Sequence, residues 1–385
     1  MKLYLSILFI FLLTITKLDA QVDRNPITTA APFLLIAPDA RAGGMGDIGI
    51  ATSADANSYQ YNAAKYAFME SQYAIGFNIT PWLRQLTNDV YKGTLRFANR
   101  LDEKSAWSFG LDYFTLGKIE TNSGVDPNTN ELISTGVENP YDLALSGTYS
   151  LKLSESFAMS VGLRYLHSDY SIKSSDDDIQ RVNTFSVDVS GFYQSAEKNY
   201  GSFNGIWRGG FNISNVGPKV ELVAGGTKSY IPTNLKLGGG FEFVLDDLNS
   251  ITTNLEFNKL LVPTPSEPIT NTDDEVIGYR QKDVGFLAGM FQSFGDAPGG
   301  FSEELEEFTW AFGAEYMYDN TMGLRAGYFN ESDYKGGRKY FTLGAGFKFN
   351  AITLDLSYLI NSSDVNNPLE NTLRFSLSFN FGDTY

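Results

Sequence analysis

The sequence predicts an all-β fold, a 14-stranded antiparallel transmembrane β-barrel preceded by a short N-terminal helical or plug segment. Three observations carry that reading. First, segment after segment alternates strictly between apolar and polar residues. In Ile352-Thr-Leu-Asp-Leu-Ser-Tyr-Leu-Ile360, residues 352, 354, 356, 358 and 360 are apolar, while Thr353, Asp355 and Ser357 oppose them. In Leu373-Arg-Phe-Ser-Leu-Ser-Phe-Asn-Phe381 the same dyad repeats. Side chains alternate across a strand, so each segment has one apolar and one polar face. Second, the segments run mostly about 10–13 residues, the length of a tilted bilayer-spanning strand rather than the 5–6 usual in soluble sheets. Third, the polar face carries full charges of both signs in mid-strand: Arg96, Asp112, Arg164, Asp188, Glu256, Arg325, Asp355 and Arg374. A hydrated or ion-paired lumen allows this, and aromatic residues gather toward strand ends as in interfacial girdles. A water-soluble β-sandwich also alternates, but it explains neither the strand length nor the mid-strand charges.

Taken in order, residues 1–20 read as an address. Lys2 is followed by an apolar run from Leu3 to Ile15, and Ala20 offers a cleavage point. The run is shorter than the ~20 residues a spanning helix needs, so a cleaved export signal is expected rather than an anchor. Residues 21–70 form the N-terminal periplasmic or plug segment, with 57–69 expected as a short helix. The barrel then occupies 71–385. Its expected strands are 71–81, 90–101, 105–119, 141–153, 156–172, 181–194, 206–216, 233–245, 250–261, 307–318, 321–332, 338–349, 351–361 and 370–381. The even count puts both ends on the periplasmic side. Links alternate between short turns and longer stretches, the longest being the outer loop 262–306. Val284–Phe294 would make a fifteenth strand, but it lacks alternation and breaks the even count, so it is placed in that loop as a short helix. Ser302-Glu-Glu-Leu-Glu-Glu307 is expected to add a helical turn capped by Ser302.

Composition bounds the chemistry. There are 29 Lys+Arg against 45 Asp+Glu, a net charge of −16, which argues against nucleic acid as a partner. The chain has no Cys and one His, His167. That excludes disulfides, thiolate metal sites and multi-His metal centres. Gly44-Met-Gly46-Asp-Ile-Gly49 spells G-x-G-x-x-G, but a dinucleotide site needs a strand before it and a helix after it. A tight Gly-rich turn near the barrel mouth is expected instead. Asp176-Asp-Asp178 and Asp273-Asp-Glu275 are expected to be solvated outer-loop acids, with Ca²⁺ binding as the competing reading. No catalytic residue, cofactor or metal is predicted.

Several stretches resemble one family. They are Pro38-Asp-Ala-Arg-Ala-Gly-Gly-Met-Gly-Asp47, Ala63-Ala-Lys-Tyr-Ala-Phe68, Thr80-Pro-Trp-Leu-Arg84, Gln292-Ser-Phe-Gly-Asp-Ala-Pro-Gly-Gly-Phe301, Arg325-Ala-Gly-Tyr328, Gly337-Arg-Lys-Tyr-Phe-Thr-Leu-Gly-Ala-Gly346 and Thr372-Leu-Arg-Phe-Ser-Leu377. Together they resemble the PorV (LptO) family of the type IX protein secretion system. Tyr61-Asn-Ala-Ala departs from the Trp-Asn-Pro-Ala that the family leads one to expect, and keeps an aromatic. The resemblance implies a 14-stranded barrel related to the FadL fatty-acid transporters and a place in the outer membrane, in contact with its lipid. It implies a shuttle rather than an open pore. Such a shuttle docks beside the SprA (Sov) translocon barrel, accepts cargo through the cargo's C-terminal signal domain, and delivers it to the PorU attachment complex. It implies no catalytic residues.

From the residues themselves, the loop stretch Phe286, Leu287, Met290, Phe291 and Phe294, continuing through Asp296, Pro298 and Phe301, is the expected partner surface, because exposed apolar patches mark contacts. The N-terminal motif Asp39, Arg41, Gly43, Gly44, Met45, Gly46 and Asp47 is the other candidate. The competing function is a FadL-like channel for small hydrophobic compounds. Outer-membrane lipid modification has no residue support.

Overall fold

The computed structural model describes residues 25–84, 86–125, 129, 132–170, 179, 181–270, 276–363, 365, 367–368 and 370–384. The expected export signal, 1–20, and both acidic runs, 176–178 and 273–275, lie outside the described residues.

Fourteen antiparallel strands close into a barrel. They are β1 Ser71–Pro81, β2 Tyr91–Arg100, β3 Ser105–Thr115, β4 Tyr141–Ser154, β5 Phe157–Asp169, β6 Val182–Gln194 and β7 Asn204–Val216. The second half is β8 Asn234–Val244, β9 Asn249–Leu260, β10 Thr309–Tyr318, β11 Met322–Asn330, β12 Lys339–Phe349, β13 Ile352–Asn361 and β14 Leu373–Thr384. Each pairs with its sequence neighbours. β14 returns to β1 with Phe77 opposite Leu377 and Ile79 opposite Phe375, so no edge is left open. Every strand expected from the alternation is present, within a few residues at its ends.

The connections differ by end. At one end the turns are tight. Asp319 and Asn320, both at positive φ (51° and 49°), join β10 to β11 in the left-handed turn that suits a hairpin's twist. At the other end lie the long loops. The third expected strand, 105–119, stops at Thr115 because the chain bends at Gly117, whose φ is +76°. Beyond it, Ile119–Val125 and Leu132–Glu138 pair as a separate hairpin inside the expected 120–140 loop. The loop 262–306 holds another hairpin, Glu267–Thr270 with Val276–Arg280, and two short helices.

The outward faces are apolar and exposed, as lipid requires: Phe109, Val161, Leu163, Phe257, Phe312, Phe341 and Phe375 among them. The lumen faces are polar yet buried. Arg96 and Arg374 are among the largest fully buried side chains. A buried polar wall needs something polar packed against it, and that is residues 30–69.

These residues do not form the expected helix over 57–69. Two 3₁₀ turns stand there, Ser58–Gln60 and Ala63–Phe68, separated at Asn62. Asn62 is extended (φ −159°), its side-chain oxygen accepts from Ala64 N, and its amide donates to the carbonyls of Ile50 and Gly191. Tertiary anchoring of one residue outweighs local helix preference.

Candidate functional site

Two places concentrate the chemistry: the lumen, and a ridge on the long-loop end.

The N-terminal segment runs through the lumen from one end to the other. At the long-loop end Asn25 N donates to Tyr334 O (2.9 Å) and Ala30 N to Tyr230 O (2.8 Å). Below them the Lys92 ammonium of β2 donates to the carbonyls of Phe33 and Ile36 (3.1 and 2.9 Å). The conspicuous motif follows in mid-barrel. Asp39 caps the single-turn helix α1, Ala40–Gly43, accepting from Ala42 N (2.9 Å), and accepts from Tyr61 OH (2.7 Å). Arg41 grips Glu315 of β10 with two bonds (3.0 and 2.7 Å) and Asp55 with a third (2.8 Å). Glu315 is shared with Arg325, which reaches on to Asp355 (both 2.7 Å). Asp47 receives Arg374 and the Tyr340 hydroxyl. Gly49 N and Ile50 N both donate to Glu256 (2.9 and 3.0 Å). Also in mid-barrel Tyr59 meets Arg164 and Asp188, and toward the turn end Ser150 Oγ donates to Ala63 O (2.7 Å).

The eight mid-strand charges read from the sequence are therefore wall-to-wall or wall-to-plug partners. Arg96 pairs with Asp112, Arg164 with Asp188, Arg325 with Asp355, and Arg374 with Asp47. The G-x-G-x-x-G turn, expected near the mouth, is instead held in mid-lumen. The reason is close backbone approach. A Cβ on Gly44 would lie 2.9 Å from Gly344 Cα, and one on Gly327 would lie 2.1 Å from the Met45 carbonyl carbon. Gly327→Ala is expected to push the plug off β11 and cost about 1–3 kcal/mol. Faster proteolysis of residues 40–60 in folded barrels would report it.

Burial sets the titration of the plug. Desolvation, with the charge of Asp55 beside it, lifts the Asp39 carboxyl to about 6, and desolvation lowers the Lys65 ammonium to about 8. A carboxyl whose native value exceeds its unfolded value favours the docked plug most below about pH 4 and loses that contribution as pH rises to about 6. Plug docking therefore weakens across that window, and Asp39→Asn flattens the slope. Hydrogen exchange of the 40–50 amides between pH 4 and 7 measures it.

The ridge is built by helix α2, Phe286–Gln292, and helix α3, Phe301–Glu306. α3 begins two residues earlier than the expected Ser302 cap implies. Its N-cap is Gly300, at φ 71° and ψ −154°, with no side-chain cap, so Ser302 lies within the first turn. That backbone suits glycine and no other residue. The helix is inverted for water: Phe301 is 77% exposed and Leu305 is exposed, while Glu304 is 6% exposed. Its buried acids meet cations. Lys259 of β9 pairs with Glu304 (3.2 Å) and Glu307, and Lys335 pairs with Glu303 (2.5 Å) and Glu307 (3.0 Å).

Lys259 fixes where the ridge sits. It is opposite Leu235 and in phase with Leu255 and Phe257, so it belongs to the outward face of the wall. Yet it is only 1% exposed, enclosed by the two glutamates and the rings of Phe294 and Phe308. The loop therefore folds over the outside of the barrel rim, level with the girdle of Trp310, Tyr328 and Phe341. Of the expected patch, Leu287, Phe291, Phe294, Pro298 and Phe301 are exposed, and Phe291 is 72% exposed. Phe286 and Met290 are half-buried, and Asp296 is turned inward to accept from Thr264 N. Leu305 and the charged clamp were missed. The signal for the clamp was a lysine on an apolar strand face followed, one loop later, by an acidic helix.

A profile described as "Type IX secretion system protein PorV" matches residues 19–267. No curated protein matches the sequence. Among solved structures, a monoaromatic hydrocarbon channel, the TodX deltaS2S3 mutant, matches with a TM-score of 0.51 at 11% identity, over 89% of this chain and 99% of that one. A Pseudomonas aeruginosa FadL homologue gives 0.42 at 11% identity (93% and 100%), and the Ralstonia pickettii toluene transporter TbuX gives 0.46 at 11% (90% and 98%). At that identity the first likeness speaks to the fold alone. With the profile spanning more than half of its length and the closed 14-stranded barrel around it, the chain belongs to the PorV family of type IX secretion proteins and is an outer-membrane component of that system.

Proposed function

We propose that this protein is a sealed, membrane-embedded carrier. It docks sideways through the ridge onto the translocon barrel, of the SprA (Sov) type, binds the C-terminal signal domain of secreted cargo there, and hands it to a PorU-type attachment complex. The observation that carries the proposal is the inverted helix α3. A helix that buries Glu304 and exposes Phe301 and Leu305 is built for an apolar neighbour rather than for water. Its height beside the girdle suits a partner that shares the bilayer.

The competing reading, a FadL-like conduit for small hydrophobic compounds, calls for an N-terminal plug that holds an apolar pocket and for a lateral opening in the barrel wall. Here each strand of the wall pairs with both neighbours, and the plug meets the mid-barrel wall through ion pairs and backbone hydrogen bonds, which supports the carrier over the conduit.

The test replaces Phe291, Phe301 and Leu305 together by Ser. Because these side chains are exposed, the barrel is expected to keep its heat-modifiable mobility. Co-purification of the translocon barrel from native outer membrane is expected to fall at least about tenfold, the effect of losing a few hot-spot contacts. Undiminished capture overturns the docking surface.

A further inference from the structure

At the turn end, against the last residues of the plug, strand ends and the turns that join them line a cavity of about 480 Å³. In the usual orientation of such barrels this end faces the periplasm. One side is formed by Phe68, the last ring of the plug, with Arg100, Lys152 and Gln194 from the ends of β2, β4 and β6. Lys104 lies at the rim, tied to the floor because Lys152 N donates to Lys104 O (2.7 Å). Glu103 and Glu155 occupy the neighbouring turns, so the lining holds three cations against two acids in a chain whose net charge is −16.

Lys152 differs from seven other inward cations of the wall. Lys92, Arg96, Arg164, Arg208, Lys236, Arg325 and Arg374 each face inward, and each has a carboxylate within 4 Å. Lys152 shares their face. Among the described residues no carboxylate comes that close to it, and its ammonium rests 4.6 Å from the Phe68 ring centroid instead. A ring face steadies a cation but leaves its outward N–H groups free to donate. The Arg100 guanidinium beside it donates to the carbonyls of Met69, Asp102 and Glu103. It is thereby held as a fixed positive charge at the back of the cavity. A half-buried donor, a fixed positive charge behind it and a second lysine at the rim make a cradle for a negatively charged group.

We propose that this vestibule binds an oxyanion, a carboxylate or phosphate group presented from the periplasm, with Lys152 as the principal donor and Lys104 as the second. Because the cavity faces water and not the lipid band, the group arrives on a soluble molecule or on an acidic segment of a protein. The proposal is independent of the loop-end ridge, 284–305.

The experiment uses the full barrel purified in detergent and two probes. Inorganic phosphate is followed by phosphorus NMR, and a fluorescein-labelled tri-glutamate peptide by anisotropy. At least one is expected to saturate at or below about 1 mM. Saturation by phosphate assigns a small solute; saturation by the peptide alone assigns a protein segment. K152Q is expected to weaken binding at least about tenfold and K152R to retain it, since the charge matters more than the shape. K104Q, an exposed change that leaves the fold alone, is expected to weaken it by a smaller factor. Failure of both probes to saturate, or binding unaltered by K152Q in a heat-modifiable barrel, overturns the site.

Discussion

A barrel assembled without residues 30–69 is expected to conduct ions across a planar bilayer, whereas the full chain is not. The wall is closed around its whole circumference. What blocks it is the N-terminal segment, which packs Phe33, Ile36, Met45, Ile48 and Tyr66 against inward apolar residues of the wall and ties its polar groups to the wall by directional bonds. Removing it strips Glu315 of Arg41, Arg374 of Asp47, and Glu256 of the amides of Gly49 and Ile50. Those groups would be left charged around a water-filled lumen, the condition under which large barrels pass ions. Because the plug also satisfies the wall, the truncated barrel is expected to unfold at lower denaturant than the full one. A softer variant guards against failure to assemble: Arg41→Ala with Asp47→Ala cuts two of the plug's tethers while leaving its backbone anchors. Intermittent conductance is expected from it, and silent bilayers from the folded double variant would show that the backbone bonds suffice.

Asp112→Ala is expected to destabilise the barrel by on the order of 3–5 kcal/mol, among the largest effects available to a single substitution. Asp112 is the shared partner of Lys92 (3.2 Å) and Arg96 (2.9 Å), both with side chains fully enclosed. Removing the carboxylate leaves two cations buried together. Arg96 also stacks on Tyr59 of the plug, with its guanidinium 5.1 Å from the ring centroid, so the damage spreads from wall to plug. Urea unfolding of the barrel in lipid, followed by tryptophan fluorescence, gives the number. Adding Arg96→Met to Asp112→Ala is expected to recover part of the loss, because one of the two stranded charges is gone. If the single variant costs less than about 1 kcal/mol, the lumen is wet enough to screen these pairs.

Why were the strands so legible and the plug so opaque? The wall announces itself because bilayer and lumen impose opposite demands on alternate residues. Leu373, Phe375 and Leu377 against Arg374, Ser376 and Ser378 admit one reading. The charges, too, were legible as lumen residues. Their partners were not. Arg374 sits 327 positions from Asp47, and no periodicity connects them. Residues 57–69 misled because helix preference is local, whereas Asn62 answers to the carbonyls of Ile50 and Gly191 across the lumen. The ridge was half legible. Its aromatics stood out, but which of them face outward depends on how Lys259, Glu304 and Glu307 pack, and that is fixed only by the folded loop.

The filled lumen and the inverted ridge support the proposed carrying and docking over conduction. The most direct measurement places a photo-crosslinking amino acid at Phe291 in the native outer membrane and identifies what it captures. A covalent adduct with a large outer-membrane translocon barrel, lost when illumination is omitted, is the predicted result. Crosslinks to lipid alone, together with uptake of a small apolar compound by liposomes holding the full chain, would contradict it.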